Sequence, residues 1–196
     1  MHVPVNYALK GEELRYLVAQ SGARAVLVDP ALAPTLDSVR SDLDLDHVIA
    51  LRDAELSEVT ISEAGEVPVF EPRATSTDLA QLLYTSGTTS KPKGAMMSHG
   101  ALVHEYVSSV IALGLDKNDN PLICMPMYHS AGMHVFMLPY LSVGATVSLM
   151  QAPDIPEILR RVEAEKIGSL FLAPTVWVPL ANHPDLETRD LSSLKK

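Results

Sequence analysis

From residue 120 to residue 153 the chain carries no Asp, Glu, Lys or Arg, and a stretch of that kind has few places to go. A membrane-spanning helix needs about 20 continuous apolar residues. Here Pro126, His129, Gly132, His134, Pro139 and Gly144 interrupt the run. Apolar segments at 120–125 and 145–150 read as buried strands, and the segment at 132–141 suits a buried helix with Pro139 near its end. A charge-free β-α-β passage fits the interior of an α/β protein, where parallel strands are covered on both faces.

The rest of the chain follows the same alternation. Strands are predicted at 2–5, 25–29, 47–51, 78–84 and 169–173, with a short apolar segment at 95–97. Helical periodicity covers 10–21, where Leu14, Leu17 and Val18 share one face and Gly22 closes the helix. Further helices are expected at 33–42, 100–113 (Ser98 as N-cap, Gly114 at the end), 155–166 and 175–182. Residues 53–77, rich in Glu and Pro, read as an irregular surface connection. Strands alternating with helices predict an α/β fold with a mostly parallel sheet flanked by helices.

The whole-chain numbers narrow the partners. A hydrophobic content of 47% over 196 residues is ample for a core, and the formal net charge of −9 argues against nucleic acid or an anionic membrane surface. The single cysteine, Cys124, rules out an intrachain disulfide and suits a reducing compartment. Lying in an apolar run, it reads as a small buried hydrophobe rather than a nucleophile. The start, Met-His-Val-Pro-Val, has neither the basic nor the apolar region of a secretory signal. A soluble, cytoplasmic protein is expected.

The run at 84–94, Tyr-Thr-Ser-Gly-Thr-Thr-Ser-Lys-Pro-Lys-Gly, combines hydroxyls, ammonium groups and glycines with no carboxylate. Hydroxyls and backbone N–H groups donate to phosphate oxygens, lysine adds a compact positive charge, and glycine lets the backbone come close. The Gly-x-x-x-x-Gly-Lys-Ser/Thr loop of nucleotide hydrolases does not fit. Gly87 and Gly94 are wrongly spaced, Lys93 precedes its glycine, and Ala95 follows. Flanked by strand on one side and a short apolar segment on the other, the run reads as a strand–loop–strand clamp. A second cluster, Met-Pro-Met-Tyr-His-Ser-Ala-Gly at 125–132, ends a predicted buried strand, the place where α/β sheets bind ligands. His99 and His104 read as surface or capping residues, and His134 as a core one.

These motifs resemble the adenylate-forming superfamily of acyl-CoA synthetases, luciferases and peptide-synthetase adenylation domains. The run at 84–94 is similar to its signature phosphate loop, with Ser90 where glycine is commonest. Pro126, His129 and Gly132 match a Pro-x-x-His-x-x-Gly motif of the same superfamily. Val-Pro-Val-Asn-Tyr at 3–7 with Gly-Glu-Glu-Leu at 11–14, Pro-Thr-Val-Trp at 174–177 and Asp-Leu-Ser-Ser-Leu at 190–194 extend the likeness over essentially the whole chain.

The resemblance implies ATP-dependent activation of a carboxylic acid to an acyl-adenylate and then to a coenzyme A thioester. It leans towards a fatty acid, with aryl-CoA ligases sharing much of the pattern. It assigns Thr85, Ser86, Gly87, Thr88, Thr89, Lys93 and Gly94 to the ATP phosphates, with Lys93 as the catalytic cation, and His129, Gly132, Val176 and Trp177 to the acid pocket. No metal ligand is assigned within the chain. The glutamate that holds Mg2+, the ribose-binding aspartate, the hinge and the C-terminal domain with its lysine are expected beyond Lys196. The chain then reads as part of a large N-terminal domain, with a first α/β portion at 1–77 and the phosphate-loop and acyl-pocket portion at 78–196. Such a piece is expected to be inactive alone and to self-associate through uncovered surfaces. Two other readings stay open: an incomplete, non-catalytic fragment, and a nucleotide-binding module.

Overall fold

A computed structural model of the protein describes residues 1–51, 73–85 and 91–196. Its contacts gather into two compact units, Met1–Met97 and Ser98–Lys196. The first unit therefore extends past residue 77, through the two strands that flank the phosphate-loop run. Most of the predicted connection at 53–77 lies outside the described residues.

In the first unit, α1 (Gly11–Ser21) buries Leu14, Leu17 and Val18, the i, i+3, i+4 stripe of an amphipathic helix. Gly22 ends it in the left-handed region at φ 67°, a conformation that costs glycine little. Strand β1 (Ala25–Val28) pairs in parallel with β2 (His47–Ala50), Leu27 opposite Ile49. Between them lie a 3-10 turn at Pro30–Leu32, the short α2 (Ala33–Asp37) and a second 3-10 turn at Arg40–Asp42. The single helix expected over 33–42 is thus broken. Leu14, Val18 and Val39 form the core beneath the sheet. Strands β3 (Leu79–Thr85) and β4 (Lys93–Ser98) pair as a second two-stranded sheet. The strand expected at 2–5 is reduced to a parallel bridge from His2 to Gln81, since Pro4 has no N–H with which to continue a ladder.

The second unit opens with α3 (His99–Leu113), capped by the Ser98 hydroxyl, which accepts from the Ala101 N–H at 3.2 Å. Strands β5 (Pro121–Ile123), β6 (Ser148–Leu149) and β7 (Ser169–Phe171) form a parallel sheet in the order β6-β5-β7. Helix α5 (Ile155–Glu165) starts at Asp154, whose carboxylate accepts from the Glu157 N–H at 2.9 Å. It buries Ile158, Leu159 and Val162 against Leu122, Cys124, Ile167 and Leu172. Each such aliphatic side chain contributes about 1.5–3 kcal/mol on burial. The charge-free passage therefore forms interior, as its composition predicts.

The predicted helix at 132–141 has a different character. It begins as a π-helical segment at Ala131–Met137 and continues as the short helix α4 (Leu138–Ser142). The Leu138 N–H donates to Met133 O, five residues back. Pro139 supplies the reason: it has no N–H to give and its ring crowds the preceding turn, which a wider turn relieves. Helix α6 (Pro174–Ala181) closes the list of elements used below.

Candidate functional site

The phosphate-loop residues belong to the first unit. Thr85 is the exposed last residue of β3, and Lys93 the exposed first residue of β4. Ser86, Gly87, Thr88, Thr89 and Ser90 lie outside the described residues. Lys93 has no ion pair among the described residues, so its ammonium is available to an incoming anion. Gly94 packs against the ring of Tyr84: a Cβ there would stand 3.2 Å from Tyr84 Cζ. A larger residue would push the tyrosine away from the strand pair.

Helix α1 touches both stems of the loop. The Tyr84 hydroxyl hydrogen-bonds Gln20 Oε1. The Tyr16 hydroxyl donates to Pro92 O at 3.4 Å, and Lys91 Nζ stands 5.0 Å above the Tyr16 ring centroid, within cation–π range. Lys91 is therefore an exposed residue with a ring beneath it rather than a purely solvated flank. Burial, and secondarily Tyr16, push the Tyr84 phenol above its ordinary value, so it stays a neutral hydroxyl near pH 7. Lys91 also draws on Glu12, whose carboxyl is held low first by its hydrogen bond from Arg15. Sequence reasoning missed Tyr16 and Gln20. Their partners lie 76 and 64 residues away. The one local signal was that they fall four apart on the face of α1 opposite its apolar stripe.

The residues assigned to the acid pocket belong to the second unit. The turn after β5 is compact: the His129 N–H donates to Pro126 O at 3.1 Å, and the Met133 N–H to His129 O at 3.2 Å. His129 is exposed, its ring 4.5 Å from that of Tyr128. Gly132 is buried, and a Cβ on it would stand 2.7 Å from Pro126 O. The Pro-x-x-His-x-x-Gly spacing has here a steric cause, because only glycine lets the π-helical segment start against that carbonyl. Val176 packs on the core of the unit, and Trp177 is 38% exposed on α6.

A largely apolar cavity of about 330 Å³ also opens in this unit, lined by Ile123, Phe136, Tyr140 and Phe171 among others. The rings of Phe136 and Phe171 stack across 4.1 Å. None of His129, Gly132, Val176 and Trp177 lines it. His134, 1% exposed, hydrogen-bonds the Tyr106 hydroxyl through Nδ1 at 2.8 Å, the core role its surroundings predicted. Cys124 is buried, and desolvation pushes its thiol up to about 11, which suits the inert reading.

A family model described as AMP-binding enzyme matches residues 1–196. Feruloyl-CoA synthase of an Amycolatopsis species is 33% identical over 193 residues, covering 98% of this chain and 37% of that protein. Indoleacetate–CoA ligase of Aromatoleum aromaticum is 31% identical over 200 residues, covering 100% of this chain and 39% of that protein. Among solved structures, a long-chain-fatty-acid–CoA ligase from Archaeoglobus fulgidus matches with TM-score 0.84 at 26% identity, over 98% of this chain and 39% of that one. A fatty acyl CoA synthetase of Mycobacterium tuberculosis, at 23% identity, matches with TM-score 0.80 over 98% of this chain and 38% of that one, which speaks to fold alone. The chain thus spans under two fifths of the length of these relatives.

Proposed function

The chain belongs to the AMP-binding enzyme family, and we propose that the full-length protein is an acyl-CoA synthetase. In the first step an oxygen of the substrate carboxylate attacks the α-phosphorus of ATP, and the bond to pyrophosphate breaks. In the second, the sulfur of coenzyme A attacks the acyl carbonyl, and AMP leaves. The observation that carries this reading is Lys93, an unpaired exposed cation at the exit of a carboxylate-free loop.

Negative charge gathers on the departing pyrophosphate in the first step. Lys93 is proposed to hold it at the β- and γ-phosphates, with Thr85, Ser86, Thr88 and Thr89 donating from the loop and Gly87 and Gly94 giving close backbone approach. Pre-placed donors of this kind act on the transition state. ATP, Mg2+ and coenzyme A complete the proposed set. Among the described residues no group of three or more His, Cys, Asp or Glu side chains could hold a metal ion. We therefore assign the principal magnesium ligand to residues outside those described.

The acid is proposed to be apolar and fatty, entering beside His129, Gly132, Val176 and Trp177; the exposed Trp177 and half-buried Val176 support a greasy entrance. An aryl acid is the second reading, favoured by what the feruloyl and indoleacetate relatives are named for. Acid-dependent ATP–pyrophosphate exchange by the full-length protein tests the activity. Lys93→Ala is expected to slow exchange about 100-fold, and an unchanged rate would remove Lys93 from its role. A panel of fatty and aryl acids ranks the two substrate readings.

The remaining assignments belong to the same reading. The chain is proposed as part of the large N-terminal domain, divided functionally into 1–77 and 78–196. A cytoplasmic location is inferred, supported by one buried cysteine and by the lack, among the described residues, of any helix long and apolar enough to cross a membrane. Self-association of the isolated chain is inferred from the exposed Val103, Val107 and Ile111 stripe on α3.

A further inference from the structure

We propose that the outward face of α1 is a positioning template for the phosphate loop, with Tyr16 and Gln20 as its positioning residues. The proposal rests on the nucleotide reading above.

Residues 12, 16 and 20 are spaced four apart, so Glu12, Tyr16 and Gln20 share one side of the helix. Leu14, Leu17 and Val18 hold the opposite side in the core. The helix is therefore fixed from beneath, and its free side is a rigid edge. Gln20 takes the Tyr84 hydroxyl at the entry to the loop. Tyr16 takes the Pro92 carbonyl at its exit and places its ring under Lys91. Gly94 closes the arrangement from β4, its missing side chain leaving room for the Tyr84 ring. Entry and exit are thus tied to one element at points four residues apart.

The consequence concerns entropy rather than contact with nucleotide. A Ser/Thr/Gly loop that must order around a phosphate loses conformational freedom on binding. Fixing both stems beforehand removes part of that cost from the binding step. Neither Tyr16 nor Gln20 needs to touch ATP for this. Tyr16 is half-buried and Gln20 exposed, so both can be changed without opening the core.

The test uses the full-length protein with Tyr16→Leu, Gln20→Leu and the double variant. Each single change is expected to raise KM for ATP about threefold to tenfold, the range of one lost hydrogen bond or ring contact. KM for the acid and for coenzyme A should stay within about twofold, and the melting temperature should not move. Tyr16→Trp, which keeps the ring under Lys91, should recover part of the ATP KM. Hydrogen exchange at residues 84–94 without nucleotide should quicken in the double variant and stay unchanged at β5 and β7. Unaltered ATP KM and unaltered exchange would overturn the proposal. So would a rise in all three KM values together with a lower melting temperature, since that marks ordinary loss of structure. If the wild-type protein fails to exchange pyrophosphate, the nucleotide reading falls, and the hydrogen-exchange comparison still decides whether the helix holds the loop stems.

Discussion

Gly132 and Cys124 show how much a single position can be read for. A Cβ at 132 would press 2.7 Å from a backbone carbonyl, an atom that cannot rotate away. Gly132→Ala should cost about 1–3 kcal/mol, as overpacking does, and calorimetry should find a melting point several degrees lower. Sequence motif and structure agree that a glycine belongs there, but they give different reasons. The motif associates it with a pocket, while the coordinates account for it by packing alone. Cys124, with its thiol raised to about 11 and its sulfur buried, should resist a thiol reagent at pH 8 and react at once in denaturant. Rapid labelling of the native protein would contradict the buried assignment. The apolar run around it made that environment legible from sequence. The contacts of Tyr16 and Gln20 were not, because a side chain's distant partners leave no trace in its neighbours.

At the level of elements, the helix ends repay attention. Ser98, Gly22 and Gly114 act as the sequence indicates, each through local chemistry. Lys166 does not announce itself: it takes φ 51° at the end of α5, the lone non-glycine residue with positive φ among those described. Lysine is strained in that conformation and a β-branched residue more so. Lys166→Gly should raise the melting temperature by about 1–3 °C despite loss of the Asp190 contact, while Lys166→Val should lower it by about as much or more. Equal effects of the two changes would show that the backbone conformation is not what matters. The interrupted helix at 33–42 and the lost strand at 2–5 also trace to local rules, since each contains a proline whose position outweighs the surrounding pattern. The division of the chain at 97/98 was beyond such rules. It depends on β3 finding β4, and pairing is a tertiary fact.

For the whole molecule, charge is the governing quantity. A chain with a net charge of −9 must keep its carboxylates ionised and partnered. Asp190 is held well below the usual carboxylate range, first by Lys166 and then by Ser192, while Arg189 and the Asp190 N–H lower Glu163. On the other unit Arg24 lowers Asp46. A carboxyl lowered in the folded state adds stability above its unfolded value, about 4, and that stability disappears as pH falls through the folded value. Melting temperature should therefore be flat from about pH 8 to pH 5 and decline below about pH 4. Asp190→Asn should make the acid decline shallower, and an identical decline would separate that residue from the effect. Solution size is the second whole-molecule property. Ile111 is 76% exposed, in line with Val103 and Val107, and sedimentation of the isolated chain should report a mass rising with concentration. A constant monomer mass would dispose of self-association.

The π-helical segment at Ala131–Met137 has an implication for what can be cut or inserted. A π turn holds one more residue than the α turn it replaces. It is a place where the chain has slack in counting, though none in shape. Removing one residue there would let the turn close as α-helix with its hydrogen bonds intact. Everything beyond it would then arrive about 100° out of phase, swinging Tyr140 off the core. Length, in this one turn, is as much a part of the specification as the identity of any side chain.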